Sequence, residues 1–376
     1  MDNTPHTKRF LLVGLPKPGT TKEAIMKDLQ ELWSLVGALG NTQIVDAVVQ
    51  RSENPDGATY IGPGKVLEVA DKVKEEKIDV IVINGIAKPG QLHNLKKKLF
   101  DANNHIEVWD RVDLILYIFS RHAKTAEAKL QIELAQMRHM GPRIYGMGKV
   151  LSNQSAGIGT VGIGETNTEL MKRHWANAMK KVQDQLKKLA ADRERQLSHR
   201  KRIGLTTISI VGYTNAGKTS LFNTLTGKDK LAENLLFATL DSAVGKIYLP
   251  TLQKEILVTD TIGFIKNLPP KLIEAFKSTL MESIHADLLM HVIDASDPDM
   301  EKKIIVVERI LEDLGIDNKN RIYVFNKLDA ADGINISDIR EKYFLFNPLF
   351  ISVKQDEGID TVKDAIESYL TTTASA

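Results

Sequence analysis

The chain has 376 residues, of which 43% are apolar and 26% are charged, and its formal net charge is +2. This length predicts more than one domain, the composition is that of a folded globular protein, and so small a net charge does not by itself identify a partner. The chain has no cysteine, which excludes a disulfide framework, a thiolate metal site and a cysteine nucleophile.

Residues 1–124 are predicted to form an α/β domain. β-rich runs alternate with helical patterns, in the order strand 9–15, helix 21–39, strand 44–49, helix 65–77, strand 78–83 and helix 91–100. This alternation is typical of a parallel sheet. The first apolar run is too short for a signal peptide and no run reaches bilayer length, so we expect a cytoplasmic protein without stable membrane insertion.

Residues 125–202 are predicted to form a long helical hairpin around a glycine-rich loop. Apolar residues recur at helical spacing from Ala126 to Met137, and four glycines occur within residues 157–164. Residues 165–202 contain neither proline nor glycine and keep apolar spacings of three and four, which predicts a second, long helix.

Positive charge is concentrated on this second helix. Residues 172–202 contain eleven lysines and arginines against three acidic residues, a net charge of +8. Two interpretations remain open at this point: a solvated helix face, or a surface that contacts the phosphate backbone of RNA.

Residues 203–376 are predicted to form a P-loop domain with a mostly parallel sheet. A β-rich run, a glycine-rich loop and a helical pattern follow one another in the order that phosphate binding needs. In such a loop the backbone N–H groups point at phosphate oxygens, Lys218 is expected to reach the β- and γ-phosphates, and the Thr219 hydroxyl is expected to bind Mg²⁺. The loop consists of Gly212, Tyr213, Thr214, Asn215, Ala216, Gly217, Lys218 and Thr219.

A second phosphate-facing segment begins at Asp260, forty-one residues after Thr219 and directly after a strand pattern at 255–259. Asp260 is expected to hold Mg²⁺, and the amide of Gly263 can approach the γ-phosphate, which makes Gly263 and Lys218 candidate catalytic residues. The segment consists of Asp260, Thr261, Ile262 and Gly263.

A switch segment is predicted between the phosphate loop and Asp260. Its threonine, Thr239, is expected to sense the γ-phosphate, to act in catalysis and to be the third magnesium ligand. The segment consists of Phe237, Ala238, Thr239, Leu240 and Asp241.

Two segments near the C-terminus are predicted to bind the base. The carboxylate of Asp329 can accept hydrogen bonds from guanine N1–H and N2–H₂, a donor pair that adenine lacks, so we expect GTP and GDP, with ATP as the alternative. The first segment consists of Asn326, Lys327, Leu328 and Asp329 after a strand at 321–325. The second, expected to close over the base, consists of Ser352, Val353 and Lys354.

Phe264 follows Gly263, at the position where Ras-type GTPases have a glutamine that orients the attacking water. Phenylalanine can neither donate nor accept a hydrogen bond for this purpose. We therefore expect slow intrinsic hydrolysis, which becomes faster when a partner or the N-terminal domain supplies or orders the missing groups.

Four histidines have no metal-ligand spacing and are expected to be ordinary surface or core residues. They are His93, His139, His174 and His291.

The chain resembles the HflX family of GTPases over nearly all of its length. The resemblance is carried by the phosphate loop, by residues 237–241, by residues 260–265 with Leu268 and Pro269, and by the N-terminal stretches 60–65, 108–116, 128–135 and 157–166. It implies a cytoplasmic GTPase that binds the large (50S) ribosomal subunit and its rRNA, is stimulated by it, and helps to split or rescue stalled ribosomes. Separately, we expect the protein to be a monomer.

Two other hypotheses stay open. The chain could be an RNA-binding module whose conformation depends on nucleotide and in which hydrolysis is incidental. Alternatively, it could be a small-molecule enzyme in which the turn Gly62, Pro63 and Gly64 holds a second nucleotide.

Overall fold

The computed structural model describes residues 7–155, 167–228, 243–265, 280–331 and 333–374. The chain divides into two compact units, of which unit 1 is Met1–Arg121 with Lys129–Leu186 and unit 2 is His122–Ala128 with Lys187–Ala376. The three-part division at 124/125 and 202/203 stays a prediction.

Unit 1 is built on a parallel sheet, as the alternating pattern predicted. Its strands are β1 (Lys8–Gly14), β2 (Thr42–Val49), β3 (Val80–Ile83) and β4 (Glu107–Asp110). The helices that follow them are α1 (Lys22–Gly37), α2 (Pro63–Glu75), α3 (Pro89–Leu99) and α4 (Arg111–His122). The strand order is β2-β1-β3-β4 and every neighbouring pair is parallel.

Local sequence explains the start of α1 and the position of β3. The hydroxyl of Thr21 accepts a hydrogen bond from the N–H of Ala24 at 3.2 Å and so caps α1.

All four residues of β3 are apolar and buried, as expected for an inner strand with both faces covered. Because all strands are parallel, their carboxyl ends lie at one edge of the sheet.

The sequence patterns did not predict β4 and α4 as separate elements. Strand and helix follow one another at Asp110 and Arg111 without an intervening glycine or proline. The boundary is marked instead by Asp110 and Asp113, whose side chains and backbone N–H groups bond to each other reciprocally.

Two long helices make up the middle region, as predicted. They are α5 (Ala126–Ser155) and α6 (Asn167–Arg202), and the predicted loop 157–164 lies outside the described residues. The indole N–H of Trp175 on α6 donates to the carbonyl of Met137 on α5 at 3.1 Å. α5 continues beyond the periodic stretch and through Pro142, although a proline inside a helix removes a backbone donor and costs about 3 kcal/mol.

Unit 2 contains a six-stranded sheet. Its strands are β5 (Thr207–Gly212), β6 (Ala243–Leu249), β7 (Lys254–Asp260), β8 (Leu288–Asp294), β9 (Arg321–Asn326) and β10 (Leu349–Phe350). Their order in the sheet is β10-β9-β8-β5-β7-β6. The described helices are α7 (Lys218–Thr226), α8 (Met281–His285), α9 (Met300–Asp313), α10 (Ile336–Lys342) and α11 (Ile359–Ala374). Only the edge strand β6 is antiparallel to its neighbour, so the mostly parallel sheet is confirmed.

The sequence patterns did not predict β8, although six of its seven residues are buried and most are apolar. β8 lies next to β5 and β9 and is therefore central to the sheet. Among the described residues, no helix is both long enough and apolar enough to cross a bilayer.

Candidate functional site

A loop leaves the carboxyl end of β5 and leads into α7. All six residues of β5 are buried, and the strand ends at Gly212 against the backbone of β8. A Cβ on Gly212 would lie 2.3 Å from the carbonyl oxygen of Val292. Only a residue without a side chain fits where the two backbones are this close.

The loop closes at Gly217, which has a φ of +93° and forms the N-cap of α7. A Cβ on Gly217 would lie 2.2 Å from the side-chain nitrogen of Asn326. Asn215, within the same loop, also has a positive φ, of 62°. The amides of a loop with this backbone, followed by a helix N-terminus, form a concave surface of N–H donors.

Lys218 is the first residue of α7 and is only 5% exposed. Its ammonium group donates to the carbonyl of Tyr213 at 2.6 Å, across the loop. Burial lowers the pKa of Lys218 to about 8, with Asp260 acting in the opposite direction and Lys327 adding to the decrease. A buried ammonium at the centre of an N–H-lined loop is a strong attractor for an anion.

Thr219 and Asp260 meet next to this loop. The Thr219 hydroxyl donates to Oδ2 of Asp260 at 2.9 Å, and Asp260, the last residue of β7, is fully buried. The hydroxyl of Thr261 donates to the carbonyl of Ile210 on β5 at 2.6 Å. Ile262, the next residue, is also buried.

Gly263 and Phe264 lie against the loop. A Cβ on Gly263 would lie 2.9 Å from the Lys218 ammonium and 2.7 Å from a methyl carbon of Thr214. The N–H of Phe264 donates to Gly212 at 3.0 Å, and the carbonyl of Phe264 accepts from the N–H of Thr214 at 2.8 Å. The ring of Phe264 is buried, with 2% exposure, so this residue is held in the core.

Asn326 connects the phosphate-loop side of the site to its base side. Its side-chain N–H₂ donates to the carbonyl of Ala216 at 2.9 Å, and its side-chain oxygen accepts from the N–H of Val353 at 3.1 Å. Asn326 is 2% exposed. One buried amide therefore fixes the positions of two loops that are far apart in sequence.

Asp329 lies beside the last segment of the site. Its carboxylate accepts a hydrogen bond from the Ser352 hydroxyl at 2.7 Å, and the ammonium of Lys354 lies 3.7 Å away. The bond from Ser352, assisted by Lys354, holds the pKa of Asp329 below its usual value. Leu328 and Asp329 form a turn of 3₁₀-helix directly after Lys327. The carboxylate is thus ionised and positioned to accept from a planar donor pair.

Two residue pairs that support this site were not apparent from the sequence. Lys327 has a φ of +67°, and its ammonium donates to Asp294 at the end of β8 at 2.7 Å. The ammonium of Lys303 on α9 lies 4.7 Å from the centre of the Tyr213 ring. Both pairs involve β8 or the helix after it, and the apolar run of β8 was the signal that could have revealed them.

The structure therefore brings most of the predicted site residues to one edge of the unit 2 sheet. Each of the four described segments lies at the carboxyl end of a strand. They are residues 212–219 after β5, residues 260–263 after β7, residues 326–329 after β9 and residues 352–354 after β10. The predicted switch segment, with Phe237, Ala238, Thr239, Leu240 and Asp241, lies outside the described residues. Anion-binding amides at one end and a carboxylate acceptor at the other suit a phosphorylated ligand with a donor-bearing base.

Three family models match the chain in succession. They are described as GTP-binding GTPase N-terminal over residues 26–120, GTP-binding GTPase Middle Region over residues 122–200, and 50S ribosome-binding GTPase over residues 207–327.

Curated relatives match over most of both chains. The protein named GTPase HflX of Caldanaerobacter subterraneus subsp. tengcongensis is 40% identical over 363 residues, which are 96% of this chain and 81% of the relative. The protein of the same name from Escherichia coli is 35% identical over 350 residues, 93% of this chain and 80% of the relative.

Solved structures with a similar fold also cover nearly the whole chain. The crystal structure of an SsGBP and GDP complex has 26% sequence identity and a TM-score of 0.55, and the match covers 97% of this chain and 99% of that one. A GTP-binding protein from Sulfolobus solfataricus in complex with GDP is 24% identical with a TM-score of 0.51, and it supports the fold alone.

Proposed function

Since this chain belongs to the HflX family of GTPases, we propose that it binds GTP at the edge of the unit 2 sheet, hydrolyses it with Mg²⁺, and acts on the large ribosomal subunit. The observation that carries the proposal is the meeting of Lys218, the pair Thr219 and Asp260, and Asp329 at one edge of one sheet.

The phosphates lie along the loop in this proposal. The N–H groups after Gly212 and the start of α7 bind phosphate oxygens, and the ammonium of Lys218 exchanges its bond to the Tyr213 carbonyl for bonds to the β- and γ-phosphates. The exchange is favourable because Lys218 is buried and polyanionic phosphate supplies the charge that a buried ammonium lacks. The Thr214 hydroxyl oxygen is buried without a hydrogen-bond partner among the described residues, which fits a loop that is completed by ligand.

Thr219 and Asp260 would hold the magnesium ion. A hydroxyl and a fully buried carboxylate 2.9 Å apart are hard oxygen donors of the kind that Mg²⁺ takes. When bound, the ion neutralises charge that develops on the phosphates during hydrolysis. Thr239 is proposed as the third ligand and as the residue that senses the γ-phosphate.

Asp329 selects the base in this proposal. Its ionised carboxylate accepts from guanine N1–H and N2–H₂, while Ser352 holds one of its oxygens in position. The segment Ser352 to Lys354 covers the base, and Asn326 keeps this segment in register with the phosphate loop. Adenine would leave the carboxylate without donors, so ATP binds more weakly.

Hydrolysis by the chain alone is slow in this proposal. The residue after Gly263 is Phe264, whose ring is buried in the core and has no group that could orient a water molecule. Gly263 lies close to the Lys218 ammonium, so its amide can contact the γ-phosphate, but activation of the water is left to a partner.

The ribosome is the proposed partner. The relatives bear the name GTPase HflX, and the family model over residues 207–327 is described as a 50S ribosome-binding GTPase. The basic stretch of α6 is compatible with rRNA, because nine of its eleven lysines and arginines are exposed. The other two, Arg193 and Arg200, bind the buried carboxylate of Glu282. We propose that a cytoplasmic monomer splits or rescues stalled ribosomes.

The test is GTP turnover by the full chain with and without purified large subunits, with small subunits as the control. We expect at least ~10-fold acceleration by large subunits only, since groups that partners supply to GTPases contribute about 10³–10⁵ in rate. Binding of large subunits without acceleration would instead support the RNA-binding module in which hydrolysis is incidental. A chain that hydrolyses GTP equally fast alone would overturn the slow-switch proposal.

Sedimentation with large subunits tests the basic stretch. The double charge reversal K180E/K181E on α6 is compared with K96E/K97E on α3, and all four lysines are exposed. With a non-hydrolysable GTP analogue, we expect the α6 pair to weaken binding and to reduce its salt dependence, while the α3 pair leaves both unchanged. Equal effects of the two pairs would argue against a role for α6.

A further inference from the structure

Three side chains meet at the carboxyl edge of the unit 1 sheet, where no role has been assigned to them. Asp110 ends β4, Asp113 lies in the first turn of α4, and His139 extends from α5. Nε2 of His139 lies 3.3 Å from Oδ1 of Asp110 and 3.2 Å from Oδ1 of Asp113. One ligand atom from each residue lies within 4.8 Å of the other two.

Backbone groups fix the orientation of both carboxylates. The N–H of Asp110 donates to Oδ2 of Asp113 at 3.0 Å, and the N–H of Asp113 donates to Oδ1 of Asp110 at 2.9 Å. The N–H of Ala87 also donates to Oδ2 of Asp110, at 3.3 Å. As a result, one oxygen of each carboxylate faces the same imidazole nitrogen. Ligands held in advance by neighbouring donors are typical of metal sites.

Burial and spacing both favour a bound cation here. The Asp110 side chain is fully buried, and the Asp113 and His139 side chains are 14% and 18% exposed. Two ionised carboxylates in a largely buried place are stabilised by a positive charge between them. The separations of the imidazole nitrogen from the two oxygens also match a shared metal, because donors ~2.1 Å from one ion are ~3.0–3.4 Å apart in octahedral or tetrahedral geometry.

We propose that Asp110, Asp113 and His139 bind one divalent transition-metal ion, of which Zn²⁺ is the best fit. An imidazole with two carboxylates suits Zn²⁺ better than Mg²⁺, which prefers oxygen ligands alone. The ion braces α5 against the end of β4 and the start of α4 within unit 1. The proposal is independent of the nucleotide site, whose residues all lie in unit 2.

A proton on His139 is the competing occupant. Burial disfavours charge on this imidazole, but the two carboxylates outweigh it and raise the pKa of His139 to about 9. The neighbouring guanidinium of Arg111 donates to Asn84 at 2.8 Å and to Glu31 at 2.5 Å. If the proton is the sole occupant, the cluster is an ion pair and the chain takes up no metal through His139.

Calorimetric titration with Zn²⁺ distinguishes the two occupants. The full chain is stripped with a chelator, returned to buffer with excess Mg²⁺, and compared with His139→Ala and with His93→Ala, whose histidine is exposed on α3. We expect one Zn²⁺ per chain in the wild type and in His93→Ala. His139→Ala should lose this ion or bind it at least ~10-fold more weakly, because even indirect supports of metal ligands contribute 10–100-fold.

A measurement on the unaltered chain covers the case in which His139→Ala does not fold. Co²⁺ bound through nitrogen and oxygen ligands absorbs visible light, and Zn²⁺ should displace it at one equivalent. Zn²⁺ should also raise the melting temperature of the wild type but not that of the conservative variant His139→Gln. No Co²⁺ spectrum from the wild type, or equal Zn²⁺ binding by folded His139 variants and the wild type, would overturn the proposal.

Discussion

The two units of this protein each have a parallel sheet, and in each the polar residues gather where strands end. In unit 2, β5 runs into a glycine-rich loop whose amides and Lys218 attract an anion. In unit 1, β4 runs directly into α4 through Asp110, and the side chains there carry negative charge and an imidazole.

The charge of the groups at the strand ends decides which class of ligand such an edge can bind. The topology brings strand ends together in both units, but it does not set the sign of the charge. A loop of backbone donors with a buried ammonium binds anions, whereas carboxylates held by backbone N–H groups leave their acceptors for a cation. The proposals for the two units can therefore fail separately.

Removal of the Lys218 ammonium should have the largest effect on nucleotide binding. We expect Lys218→Ala to weaken GTP and GDP binding by about 10- to 100-fold, because a bond between charged partners is lost and the phosphate is left without its counter-charge. Zn²⁺ binding should stay as in the wild type. Calorimetry with both ligands measures this contrast, with Lys246→Ala as the control because Lys246 is exposed on β6.

If Lys218→Ala bound nucleotide as tightly as Lys246→Ala, Lys218 would have no contact with phosphate. If the same variant lost Zn²⁺ as well, the two units would not be independent.

Asp329→Asn should change which base is bound. We expect guanine nucleotides to bind about 10-fold or more weakly, because the carboxylate that accepts two donors is lost. Xanthine nucleotides should bind more tightly, because an amide N–H₂ can donate to the oxygen that replaces the 2-amino group. Competition against a fluorescent guanine nucleotide measures both, and Asp360→Asn is the control, since Asp360 is 92% exposed.

A loss of all nucleotide binding, without a gain for xanthine, would mean that Asp329 supports the fold of the site and does not contact the base.

Gly85→Ala should have the smallest effect on ligand binding, because the change acts on the stability of unit 1. A Cβ there would lie 2.2 Å from the hydroxyl of Tyr60, which is 6% exposed and has a φ of +67°. We expect unit 1 to be destabilised by about 1–3 kcal/mol, since a buried ring must move. Hydrogen exchange of the amides of β3 measures this, with Gly90→Ala as the control because no atom lies within 4 Å of that Cβ.

GDP affinity should be the same in both glycine variants. Faster exchange in unit 2 as well would contradict the separation of the units.

The residues proposed to bind nucleotide can be selected from the sequence, whereas those of the unit 1 cluster cannot, and the reason is physical. The residues of the phosphate loop are contiguous, and glycine is required where backbones come as close as Gly212 and Val292. Asp260 was recognisable because it directly follows a strand pattern, and Asp329 because it belongs to a short polar segment that does. In contrast, Asp110 and His139 are 29 residues apart, and no spacing rule connects them.

The strands and helices that could not be predicted from the sequence have no local marker, such as a turn residue or a distinctive hydrophobic period. β4 and α4 meet without glycine or proline, and β8 is an apolar run that periodicity cannot distinguish from a helix. His139 was expected to be an ordinary surface or core residue because it has no metal-ligand spacing in the sequence; the two carboxylates that it faces belong to other elements.

From the amino-acid sequence we could infer the order of strands and helices in much of the chain, the family to which the chain belongs, and the loop from Gly212 to Thr219. These features depend on local backbone requirements and on contiguous residues. Which distant groups come into contact could be seen only in the tertiary structure. Asn326 joins Ala216 to Val353, Phe264 is buried against the loop, and His139 faces two carboxylates. Such meetings depend on how whole elements pack, which no local pattern encodes.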